Sequence, residues 1–210
     1  MSRVAATNRV LLYQSGSTLF EDTFEDADST ALASHTPTGA AVNQAAWATY
    51  GDQDLIISSN KADSSNVVGD SINLINVQNE DVTLDCVCTN ASHDFNISMD
   101  IIVRAVNKDN YVAIRITQAF GFNVFSVNIG EVVNGNYTGK EVIVSDGALI
   151  DSQVTLHVVC SGASVIATAT IAGTDYTATH TSTVLSNGTQ VGISCADPDQ
   201  TVDSMTVTKT

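Results

Sequence analysis

From Phe95 to Ala105, apolar and polar positions alternate along the chain. Phe95, Ile97, Met99, Ile101, Val103 and Ala105 fall on one side, and Asn96, Ser98, Asp100, Ile102 and Arg104 on the other. A side-chain period of two with one apolar face describes a half-buried strand and excludes a helix. Tyr111 to Thr117 repeats the pattern, with Val112, Ile114 and Ile116 on one side and Ala113 and Arg115 on the other. The intervening Asn107-Lys108-Asp109-Asn110 is a polar turn, so the two runs are expected to pair as an antiparallel hairpin.

The same rhythm continues toward the C-terminus. Phe125, Val127 and Ile129 share a face, Asn134-Gly135-Asn136 turns the chain, and Glu141 to Val144 returns before Asp146-Gly147. Val154, Leu156, Val158 and Cys160 form another inner face, answered across Ser161-Gly162-Ala163-Ser164 by Val165, Ala167, Ala169 and Ile171. Asp175 to Ser182, Gln190 to Cys195 and Thr201 to Thr208 supply the last strands. Strand-length segments at spacings of roughly 8–12 residues, punctuated by Gly and Asn, indicate an all-β sandwich or barrel.

The first ninety residues alternate less cleanly. Leu19 to Phe24 reads as an opening strand, and Ala27 to Ala46 as a long Ala/Thr/Ser-rich connection containing Pro37 and Gly39. Trp47, Leu55-Ile56-Ile57, Val67 to Val77 and Val82 to Thr89 provide further extended segments. Residues 1–17 contain the apolar run Val10 to Tyr13 but no neighbouring strand to pair with, which predicts an extended N-terminal arm. With no long-period repeat and no second composition regime, the expected organisation is an arm over 1–17 and one domain over 18–210.

Charge narrows the classes of partner. The chain has 210 residues, 23 Asp and Glu against 8 Lys and Arg, and a formal net charge of −15. Nucleic-acid binders need a basic footprint to neutralise phosphates, and anionic membranes repel an acidic surface, so neither is an expected partner. No apolar run is long enough to span a bilayer as a helix, and Val10 to Tyr13 is too short for a signal-peptide core. Cys86 and Cys88 lie two apart on one strand and point the same way, without a second pair or a nearby His to complete a tetrahedral metal set. They read as small buried hydrophobes of a reducing compartment, while a Cys160–Cys195 link stays open at this level.

One set of residues resembles a known family. Leu19-Phe20-Glu21-Asp22-Thr23-Phe24-Glu25-Asp26 is similar to the opening F-x-D-x-F strand of concanavalin A-like (laminin-G-like) jelly-roll modules, with Trp47 in place of an early tryptophan that closes the first long loop. Asp109-Asn110-Tyr111-Val112-Ala113-Ile114-Arg115 matches the family's middle hairpin. Gln190-Val191-Gly192-Ile193 and Asp203-Ser204-Met205-Thr206-Val207 match its last two strands. The resemblance covers roughly residues 19–208 and implies a two-sheet antiparallel β-sandwich whose terminal strands lie side by side. Fold alone does not assign function, because such modules bind sugars, hydrolyse glycans or build structures.

Modules of this appearance are frequent in tailed-phage virions. The resemblance therefore implies a non-enzymatic virion structural protein, a capsid decoration, head-surface or fibre component. It would be assembled in the host cytoplasm with capsid or tail subunits as partners, and would form a homo-oligomer. Arg3, Arg9, Val10, Leu11, Leu12 and Tyr13 would then form an assembly arm that orders on a neighbouring subunit, alongside contacts through sheet edges. The alternative is a lectin-like, carbohydrate-binding module for attachment to surface glycans.

The chemistry-bearing residues bear on both readings. Glycan-cleaving jelly rolls carry carboxylates at alternating positions of one strand, whereas Glu21/Asp22, Glu25/Asp26 and Glu80/Asp81 are adjacent and point to opposite faces. His35, His93, His157 and His180 lack a neighbouring nucleophile motif, so no catalytic residues are expected. No cofactor is expected either, calcium excepted: if the terminal strands adjoin, Glu21, Asp22 and Asp203 are candidate oxygen ligands. For sugars, which need an aromatic to stack on, Phe120, Phe122 and Tyr137 are the leading candidates, with Trp47, Tyr50, Tyr111 and Tyr176 also placed near turns.

Overall fold

The computed structural model describes residues 17–39, 45–67, 69–90, 97–119, 124–147, 153–182, 184–196, 198 and 200–210. Its strands are β1 (Thr18–Asp22), β2 (Ala48–Gly51), β3 (Ile56–Ile57), β4 (Ala62–Asp63), β5 (Ser71–Asn76), β6 (Val82–Asn90), β7 (Ile97–Asn107) and β8 (Asn110–Ala119). They continue as β9 (Val124–Val133), β10 (Asn136–Ser145), β11 (Gln153–Ser161), β12 (Ser164–Ile171), β13 (Thr174–Thr181), β14 (Gln190–Cys195) and β15 (Gln200–Lys209). A 3₁₀ turn, Leu32–Ser34, interrupts the first long connection.

These strands form two antiparallel sheets. One has the order β13-β12-β11-β6-β15-β4-β3, with β1 also paired to β15, and the other runs β10-β9-β8-β7-β14-β5-β2. The expected adjacency of the terminal strands is thus realised, Phe20 lying opposite Val207 and Asp22 opposite Met205. The hairpins follow the sequence turns. Asn134 and Gly135, with φ of 52° and 75°, form the left-handed pair that a two-residue β9–β10 connection requires.

Alternation delivers the core. Val154, Leu156, Val158 and Cys160 of β11 and Met99, Ile101 and Val103 of β7 all turn into one core between the sheets, each fully buried. Each such aliphatic side chain contributes about 1.5–3 kcal/mol of burial, which is what stacks the two sheets. All four cysteines are buried and free, so the Cys160–Cys195 link is not formed.

One strand departs from strict alternation. Arg104 has φ 53° and is buried, while Ala105 joins Ile102 on the outer face instead of following Val103 inward. On the β14 side the paired positions run from Ile102↔Gly192 to Ala105↔Gln190, so Val103 and Arg104 together oppose Val191. This is a bulge, an extra residue that reverses the facing of the residues after it. The Arg104 guanidinium holds it in place, with Nη1 donating to the Ser186 carbonyl at 2.5 Å and Nη2 pairing with Asp81 Oδ1 at 3.3 Å. Gly188 packs against the Arg104 carbonyl so closely that a Cβ there would lie 2.1 Å from the oxygen.

Candidate functional site

The outer face of the β10-to-β2 sheet carries the groups suited to ligand binding. Pairing partners Tyr50, Ile72, Ser194, Asp100, Arg115 and Asn128 run in one row across six strands. Beside it runs a row of mostly small residues: Gly192, Ile102, Ala113, Gly130 and Gly139. Tyr111, Val132 and Tyr137 rise on the far side of that row. A depression of about 300 Å³, at the lower end of ligand-pocket volumes, is lined by Ile72, Ser194, Asp100 and Arg115 of the first row together with Tyr111 and Tyr137.

At its centre, Arg115 Nε donates to Asp100 Oδ1 at 2.6 Å and Nη2 to Oδ2 at 2.7 Å, a two-pronged ion pair with the Asp100 side chain 3% exposed. The Tyr137 ring lies over the guanidinium, 3.5 Å from ring centroid to the guanidinium carbon. That placement depends on Gly130, where a Cβ would come within 2.4–2.6 Å of the Tyr137 ring and hydroxyl. Burial, reinforced by the Asp100 carboxylate, pushes the Tyr111 phenol well above its ordinary range, and it stays neutral while hydrogen-bonding Ser194. Burial likewise raises Tyr137. The result is an uncharged aromatic surface beside an arginine whose charge is locally balanced.

Of the candidates for sugar contact, Tyr137 and Tyr111 line this depression, and Tyr50 is an exposed residue next in the chain to the lining Gly51. Phe120 and Phe122 lie outside the described residues, as do Arg3, Arg9, Val10, Leu11, Leu12 and Tyr13 of the arm. Trp47 is in the core and Tyr176 packs against it, so neither is a platform. The sequence pattern does not single out Asp100 or Ser194; Asp100 stands there only among the polar positions of its strand.

The carboxylates expected to hold calcium are not brought together. Asp22 is fully buried and accepts from Trp47 Nε1 at 2.9 Å, His35 Nε2 at 2.9 Å and the Phe24 amide at 2.8 Å. Glu21 alternates to the exposed side, and Asp203 pairs with Lys61 at 3.0 Å and accepts from Gln153 at 3.1 Å. Among the described residues no three His, Cys, Asp or Glu side chains gather as a metal would require. The F-x-D-x-F segment acts as a fastener instead: Phe20 meets the Trp47 ring edge-on at 5.5 Å while Asp22 holds its N–H. His157 is an exposed strand residue, paired with Asp85 at 2.7 Å.

No protein-family model matches the sequence, and no curated protein does. Solved structures do match. The CBM2 module of the evolved Dit of Lactobacillus casei BL23 phage J-1 superimposes with a TM-score of 0.58 at 6% identity, covering 90% of this chain and 94% of that one. Seed lectin of Lotus tetragonolobus gives 0.56 at 11% identity over 91% and 97% of the two chains. The legume lectin-like domain from Entamoeba histolytica gives 0.53 at 12% identity over 78% and 90%. At these identities the likeness establishes architecture alone: the chain has the concanavalin A-like, lectin-type jelly-roll fold.

Proposed function

We propose that this protein is a non-enzymatic carbohydrate-binding module whose ligand lies in the depression on the outer face of the β10-to-β2 sheet. The observation that carries the reading is the Tyr137–Arg115–Asp100 stack, with Tyr111 and Ser194 lining the same depression. A sugar presents an apolar ring face and a rim of hydroxyls, and the site offers an aromatic face beside fixed donors and acceptors. The lectin and CBM2 likenesses support the reading at the level of fold. The test is a glycan array followed by calorimetry on any hit. Binding that disappears in Tyr137→Ala while the melting temperature holds supports it; an array without a hit overturns it.

A second reading, a virion structural component, is favoured by different observations. β13 and β10 each pair on one side only among the described residues and end the two sheets. Unpaired edges are where further strands add. One structural neighbour is phage-borne. In this reading the module sits on a capsid or tail as a homo-oligomer, tethered by the arm. Deleting residues 1–17 should leave a folded domain that fails to enter particles; normal incorporation overturns the arm's role.

A further inference from the structure

We infer that the depression selects uncharged sugars and turns acidic ones away, an inference that rests on the carbohydrate-binding reading above. Five formally charged side chains line it: Asp70, Asp100, Asp109, Lys108 and Arg115. Both cations are already matched. Arg115 is held two-pronged by Asp100, and Lys108 Nζ lies 2.7 Å from Asp109 Oδ1. Asp70 is left without a cation of its own among the lining residues, so the site carries a net negative charge.

The geometry of Arg115 sharpens the point. An arginine recognises a carboxylate or sulfate through two parallel N–H groups and an unspent positive charge. Here the Nε–Nη2 edge is occupied by Asp100, and the Tyr137 ring covers a face of the guanidinium. With Asp100 only 3% exposed, a sugar acid does not displace it without stranding a buried charge. What remains for a ligand is Nη1, with the hydroxyls of Tyr111, Tyr137 and Ser194: donors and acceptors matched to alcohol and acetamido groups. An acidic sugar entering this site loses hydration and meets no unbalanced cation, while the chain's net charge of −15 opposes its approach.

The experiment compares neutral sugars with acidic derivatives of the same sugar, by calorimetry at low ionic strength: lactose against 3′-sialyllactose, cellotetraose against its C6-oxidised form, and N,N′-diacetylchitobiose against its sulfated form. The expected result is that any neutral member that binds does so at least about tenfold more tightly than its acidic counterpart. Asp70→Asn should narrow that ratio, and added salt should narrow it too. An acidic member that binds as tightly as its neutral partner overturns the selectivity and leaves the carbohydrate reading standing. Silence from every sugar in these pairs and on the array overturns both.

Discussion

Arg115 faces Asp100 because three residues of β7, Arg104 to Val106, are opposed by Tyr111 alone on β8. Pairing runs Asn107↔Asn110 at the turn and Val103↔Val112 beyond the bulge. If β7 paired through without the bulge, every residue kept, the turn's own register would place Arg115 opposite Ile102, and the Arg115–Asp100 fork would not form. The ligand site is therefore a product of a backbone irregularity, stabilised some distance away by the Arg104 contacts to Ser186 and Asp81.

The Arg115–Asp100 pair should behave as a unit. Arg115→Leu leaves a nearly buried carboxylate without its partner and is expected to cost about 3 kcal/mol. The double variant Arg115→Leu/Asp100→Leu should recover most of that loss. Denaturant unfolding of the four members of the cycle measures the coupling. Additive losses would show that the two side chains act independently.

Gly130→Ala should separate binding from stability. Its Cβ collides with the Tyr137 ring, a surface group that can swing outward, whereas the backbone there has no left-handed requirement. The expected outcome is a loss of affinity of about fivefold or more, the scale of one cation–π stack, with a change in stability under about 1 kcal/mol. Titration calorimetry beside thermal melting reads both quantities.

Asp22→Ala removes the acceptor for three donors, the Trp47 indole, His35 and the Phe24 amide, all at buried positions. Stranding them should cost about 3–5 kcal/mol, or a fall in melting temperature of about 6–20 °C for a domain of this size. Because these hydrogen bonds occupy both carboxylate oxygens, millimolar calcium should leave the wild-type melting temperature unchanged.

The edge between the sheets is expected to be acid-sensitive. Burial pushes Glu131 up, but hydrogen bonds from Ser182 and His180, with the nearby Lys140, outweigh it and leave the carboxyl below its ordinary 4.5. A carboxyl depressed in the folded state contributes stability that is present above its unfolded value and lost as pH falls through the folded one. Stability should therefore decline as pH drops below about 4.5, with Glu131→Gln flattening that limb. Melting curves taken from neutral pH to pH 3 test the slope.

The thiols should be silent in the native state. Burial pushes Cys160 up to about 11 and moves Cys195 the same way, while Cys86 is raised by its hydrogen bond with Cys88 and then by burial. A thiol-specific reagent at neutral pH is expected to label none of the four until denaturant is added.

How far the sequence alone carries the picture depends on the range of the interaction concerned. Strand facing and turns are local: Met99, Ile101 and Val103 announce their inward side, and Asn134-Gly135 its hairpin. The F-x-D-x-F segment and Trp47 mark the fold but not their own chemistry, since nothing near Asp22 in the chain reveals that its partners are Trp47 and His35. The site is less legible still. Tyr137 stands out as an aromatic near a turn, but Asp100 and Arg115 meet only after the bulge, and a buried Arg104 with positive φ runs against every local preference for strand and surface.

The surplus in β7 across from β8 amounts to two residues, an even number, and evenness matters. Sliding a strand by one would turn its greasy side outward and ruin the protein. Sliding by two returns every side chain to the side it came from and changes only its neighbour. On the β8 side the interior is thus indifferent to which of two alignments the hairpin adopts, and pairing straight through with every residue kept would give this hairpin the same heart and a different face, open to being re-equipped for another ligand.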